Sequence, residues 1–180
     1  MAQEKFPGLP NFKPSAVWKS FIPSKICFFL WSLWNKKILT VDVLKKRGMV
    51  LPNRCVMRCQ EEEDATHLFV KCRYIQKVWN TIRRGAPRIG SLEGDLIAII
   101  NNRPTETPID FNGWLASGIL HATYWLIWNQ RNQRIFRDHK AEASIIARHA
   151  IKSVISWVSA HDKIDKCSAA ICLNNCLSRL

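Results

Sequence analysis

Residues 55–72 read CVMRCQEEEDATHLFVKC, placing Cys55, Cys59, His67 and Cys72 along one polar bend that runs into an apolar stretch. Three thiolates and one imidazole can complete a tetrahedral zinc shell, with Zn–S near about 2.3 Å and Zn–N near about 2.0 Å. Cys55 and Cys59 are close enough to reach around one ion from a turn. His67 and Cys72 sit where the loop becomes a helix, so helix entry can aim both inward. Four protein ligands leave no open coordination position, so the expected Zn²⁺ is structural rather than catalytic. Capture of the ion should contribute on the order of 10 kcal/mol to folding. A loop carrying Glu61, Glu62, Glu63 and Asp64 in succession has little else to order it. A single cysteine is often core filling and a single histidine often lies on a surface; four together at this spacing are harder to read that way.

Working outward, the expected fold is all-α: a small helical domain stapled by a Cys3His zinc loop, followed by a long-helix pair. Upstream, Pro23 and Ser24 start a helix to Asn35 whose residues Ile26 to Trp31 are nearly all apolar, so it should be buried on most sides. Thr40 caps a short helix, VDVLKKRG, that Gly48 ends. Helical spacing resumes from His67 to Arg84 through Leu68, Phe69, Cys72, Ile75, Val78, Trp79 and Ile82, and Trp79 reads there as core rather than as a stacking platform. Residues 85–110, with Pro87, Pro104 and Pro108, read as a linker holding a short apolar helix at Leu96 to Ile100. A long amphipathic helix then starts at Phe111, and another spans Ala141 to Ala160 with Ile145, Ile146, Ala150, Val154 and Trp157 or Val158 on its buried stripe. The lead-in to Ser15 is loose, and the tail from residue 161 reads as poorly ordered.

The chain has 180 residues, 27 Lys+Arg against 14 Asp+Glu, and a formal net charge of +13. That balance favours a polyanionic partner, because cations that neutralise phosphates release condensed counterions. Lys71, Arg73, Lys77, Arg83 and Arg84 lie in a run without an acid from Lys71 to Leu92 and are the candidate RNA- or DNA-contacting residues. Arg131, Arg134, Arg137 and Lys140 form a second basic group, for which a solvated helix face is an equal reading. Seven cysteines without a secretory pattern suit a reducing, intracellular compartment, nuclear or cytoplasmic. No membrane span and no small-molecule substrate is expected. Cys27 reads as core, and Cys167, Cys172 and Cys176 as ordinary thiols.

The run VWKSFIPSKICFFLWSLWNKKILTVDVLKKRGM, followed by the Cys/His cluster and Trp79, resembles the zinc-binding region of plant non-LTR (LINE-type) retroelement reverse transcriptases. Trp18, Lys19, Pro23, Lys25, Phe28, Phe29, Trp31, Thr40, Leu44, Arg47 and Gly48 match the family's pattern, together with the four candidate ligands. The likeness spans about residues 15 to 84 and divides the chain into a lead-in (1–15), the zinc-binding domain (16–84), the linker (85–110), a helical hairpin (111–160) and a tail (161–180). IWNQRNQRIF is similar to the helix that precedes ribonuclease H in related elements. The cysteine pair here is separated by three residues where the family has two. No paired polymerase aspartates occur, and after residue 110 the acids are Asp138, Glu142, Asp162 and Asp165 alone, too scattered for two-metal chemistry. The resemblance therefore implies a non-catalytic accessory module that grips RNA or DNA, beside a separate reverse transcriptase or ribonuclease H domain. The alternative is a structural docking module, or a decayed retroelement fragment, with no nucleic-acid binding of its own.

Overall fold

Eleven-residue helix α2 (Ser24–Trp34) forms where Pro23 supplies the start and an apolar run follows, and it buries Ile26, Cys27, Phe29, Leu30, Leu33 and Trp34. The computed structural model describes residues 13–57, 61–90, 92, 96–101, 111–160 and 166–180, with backbone alone at 101, 111, 112, 114 and 166. Within them lie a single turn, α1 (Pro14–Val17), then α2, α3 (Val41–Lys46), a π-helical turn (His67–Lys71), α4 (Arg73–Gly85), a 3-10 turn (Pro87–Ile89), α5 (Leu96–Asn101), α6 (Phe111–Arg137), α7 (Ala143–Ser159) and α8 (Lys166–Ser178). The fold is all-α; no strand occurs among the described residues.

Long helix α6 is the axis of the packing: α2 lies on one side of it and α7 on another, and α7 also packs against α4 and α8. One apolar core runs through all of them, from Val17 and Phe29 to Phe69, Ile75, Trp79, Tyr124, Ile127, Ile151 and Leu173. Phe69, Trp79 and Tyr124 meet edge to face across it, Phe69 with Tyr124 at 5.7 Å and Trp79 with Tyr124 at 5.4 Å between centroids. Trp79, 1% exposed, is core as expected. Its indole N–H donates to the Phe69 carbonyl at 2.8 Å, tying the π turn to α4. Buried His121 on α6 faces the Ser117 carbonyl with Nδ1 (2.8 Å) and the Val17 carbonyl with Nε2 (3.0 Å), which fastens the end of α1 to the axis. Burial pulls its pKa down to about 4, against the raising effect of those two carbonyls.

Four local expectations are corrected. Thr40 does not cap α3 through its hydroxyl, which donates instead to Asp42 Oδ1 at 2.6 Å. The backbone N–H of Val41 is taken by Glu63 Oε1 at 3.1 Å, from the acidic bend. The helix expected from His67 to Arg84 is broken at Cys72, whose ψ of 128° is extended. On α7 the buried stripe is Ile146, Ala147, Ala150, Ile151, Val154 and Val158, with Ile145 outside it. Finally, residues 166–178 of the tail form α8, which buries Ala169 and Leu173 completely. α8 crosses α4 so closely that a Cβ on Gly85 would meet the Cys176 carbonyl oxygen at 2.5 Å, so glycine is required there.

Candidate metal centre and basic helix face

Hydrogen bonds among Asn53, Cys55, Glu61, Glu63, Asp64 and His67 tie the bend together before any ion is considered. Cys55 N–H donates to the Glu61 carbonyl at 2.7 Å. Glu63 N–H donates to Asn53 Oδ1 at 2.8 Å. Asp64 Oδ1 accepts from His67 N–H at 2.7 Å, a side-chain cap three residues ahead.

The π turn then sets the geometry of the ligands. In a regular α-helix, positions five apart point about 140° away from each other. Here Cys72 N–H bonds the His67 carbonyl at 2.8 Å, an i→i+5 link, and the widened turn brings both side chains to one side. Cys55, His67 and Cys72 are all buried, and their ligand atoms lie within 4.8 Å of one another. Cys59, the fourth predicted ligand, lies outside the described residues.

The donor set fits a metal ion on three counts. The two sulfurs are 3.8 Å apart, which is about the tetrahedral edge subtended by two Zn–S bonds of about 2.3 Å. His67 Nε2 is buried and has no hydrogen-bond partner, a costly arrangement unless a ligand takes its lone pair. The other ring nitrogen, Nδ1, faces Glu61 Oε2 at 2.9 Å. A carboxylate behind a ligating histidine fixes the tautomer that leaves Nε2 free to coordinate. Cys72 also sits at the N-cap of α4. Its pKa is pulled down to about 6, first by the hydrogen bond with Cys55 and then by the N–H groups of Ile75 and Tyr74, against the effect of burial. The downward shift favours the thiolate, the form that coordinates.

Glu61 thus positions His67, and E61Q should lower metal affinity about tenfold to a hundredfold, while the circular-dichroism spectrum of the loaded protein stays unchanged. Competition with a chromophoric chelator measures this; equal affinities would show that the carboxylate does not orient the ring.

Two further contacts dock the bend against α6, and both use arginines expected among a solvent-facing group. Arg131 is 4% exposed and its Nη2 donates to Glu63 Oε1 at 2.7 Å, with Glu63 fully buried. Arg134 donates to the Met57 carbonyl at 2.8 Å and lays its guanidinium 4.3 Å from the centre of the Tyr74 ring. Neither is a free phosphate contact. Arg137 and Lys140 do remain exposed.

Of the candidate nucleic-acid residues, Lys71, Arg73, Lys77 and Arg84 are exposed, and Arg83 is half-buried with a bond to Asn80 Oδ1. Arg73, Lys77 and Arg84, spaced four and seven apart, share one face of α4. Arg83 lies to the flank. Lys77 and Arg84 line an open cleft of about 830 Å³, with Lys140, Glu142 and the first residues of α7 on its far wall. Among the described residues no helix is long and apolar enough to cross a membrane.

Comparison with curated proteins gives no match, and comparison with solved structures gives none either. A family model does match, over residues 4–79, a span that contains the whole Cys55, His67 and Cys72 corner and most of α4. Over residues 4–79, less than half of the chain, the sequence is similar to the family described as zinc-binding in reverse transcriptase.

Proposed function

We propose that the chain is a non-catalytic accessory module of a retroelement-type reverse transcriptase, in which a structural Zn²⁺ fixes one end of α4 and the exposed cations of that helix grip RNA or DNA phosphates. The observation that carries this reading is the stripe of Arg73, Lys77 and Arg84 along the helix that the metal corner starts. Lys71 and Arg73 flank Cys72, and the N-terminal amides of α4 add positive potential there. The corner's own chemistry favours a structural ion: the histidine and the thiols point at one another, and Glu61 is engaged behind the ring. Binding through phosphates alone is independent of sequence and falls steeply with salt.

The variant R73E/K77E/R84E tests it. These side chains are exposed, so the fold and the metal content should survive. Affinity for a labelled RNA should fall at least tenfold, and the slope of log K against log salt should shrink by about 2 to 3 units for three lost phosphate contacts. Parent protein that retains no RNA or DNA, and instead self-associates with concentration, would favour a docking module.

A further inference from the structure

A second surface lies on α2 and α6, away from the α4 stripe, and its composition is different. Phe28 is 58% exposed on α2, and Trp31, half-buried, packs beside it at 5.5 Å between ring centroids. Trp125 of α6 is half-buried and rests edge-on against Phe29, the residue after Phe28, at 5.4 Å. Cations interleave with the rings: Lys25 Nζ is 6.0 Å from the centre of Trp125, and Lys37 Nζ is 5.4 Å from that of Trp31. Lys36 is exposed beside Lys37. Between Lys5 and Val41 the sequence contains no Asp or Glu, and α6 contains none from Phe111 to Arg137.

Core packing explains why Phe29 and Trp125 meet. It does not explain Phe28, which points outward from a helix whose other face already buries six apolar side chains. A protein partner would need an apolar patch for the phenylalanine and a separate acidic rim for the three flanking lysines, which have no acid among them. Unpaired polynucleotide satisfies both features at once: bases offer flat faces to the rings, and phosphates at the spacing of the backbone meet the ammonium groups. Duplex satisfies only the second, because its bases are already stacked. From the aromatic–lysine juxtaposition of Lys25, Phe28, Trp31, Lys37 and Trp125 we infer that the α2–α6 face is a stacking platform for single-stranded RNA or DNA.

This rests on a different surface from the α4 reading, and the two can be separated. The probes are a labelled oligo-uridylate and a labelled RNA duplex, each titrated with the metal-loaded full chain, its F28A variant, and R73E/K77E/R84E. Phe28 is exposed, so F28A should melt like the parent. F28A is expected to weaken oligo-uridylate binding about tenfold, the loss of one stacked base, and to leave duplex binding unchanged. Binding of the oligo-uridylate should also quench tryptophan fluorescence in the parent. Equal oligo-uridylate affinity of F28A and parent overturns the platform, as does an equal loss on both probes. Loss in F28A with no change in R73E/K77E/R84E keeps the platform and removes the α4 reading; the reverse result does the opposite. Concentration-dependent self-association abolished by F28A, without oligo-uridylate binding, would assign the face to a second copy instead.

Discussion

Stripping the metal from the purified protein with a chelator should collapse cooperative unfolding to a broad transition at much lower temperature. The expected loss is large because structural zinc contributes on the order of 10 kcal/mol of apparent binding energy at neutral pH, against a total stability of about 5–15 kcal/mol for an ordinary domain. The bend explains why so little would remain. Without an ion, two buried sulfurs and the unpartnered Nε2 of His67 face one another in the interior. The π turn that holds them is widened by an i→i+5 bond, a rare geometry that often occurs at functional sites. Substitution should reproduce the result residue by residue: H67A and C72A lose metal and melt like the stripped protein. Cys27 is equally buried but lies outside the cluster, so C27A should keep its metal. Elemental analysis paired with thermal melts reads both quantities. Metal-free protein that melts at the same temperature as loaded protein would remove the structural role.

The cluster of Cys55, His67 and Cys72 was legible in the sequence because it is local: a turn and a helix entry bring the three together, and spacing alone reports it. The π turn was not legible. An apolar run such as HLFVK suits an α-helix and a π turn equally, and only the need to aim positions 67 and 72 together selects between them. Asp64, three residues before His67, did carry a readable capping signal that the acidic run obscured. Helix α8 was misread for a different reason. Ala169, Cys172, Leu173 and Cys176 recur at three- and four-residue intervals, and the Ser and Asn between them drew the reading toward a tail. The partners of Arg131 and Arg134 could not have been read at all, since Glu63 and Met57 are 68 and 77 positions away and α6 looks the same whether its arginines face water or the core.

That last contact carries the other large expected effect. Replacing Arg131 by methionine should lower stability by about 3–5 kcal/mol, the usual result of removing one member of a buried ion pair. Glu63 is fully buried, takes the guanidinium at 2.7 Å, and also accepts the N–H of Val41 that opens α3. R131M therefore leaves a carboxylate in the interior with one neutral donor, where its charge is opposed by desolvation. E63Q keeps an acceptor for Val41 but leaves the buried guanidinium without a counter-charge, with only neutral acceptors such as Asn132 Oδ1, so it should also be destabilising. In E63Q/R131M neither charge remains, and the double variant should regain most of what either single one lost; a methionine of similar length can fill the space against Trp128, whose ring centre lies 5.0 Å from the guanidinium carbon. Chemical denaturation of all four proteins gives the coupling energy directly. A loss below about 1 kcal/mol in R131M, the range of exposed pairs, would mean that the pair is hydrated and does not clamp the bend. A full loss confined to R131M, with E63Q unaffected, would place the arginine's role in its stacking on Trp128 instead. The ordering of the four melts therefore decides whether the metal bend is held to α6 by charge or by packing.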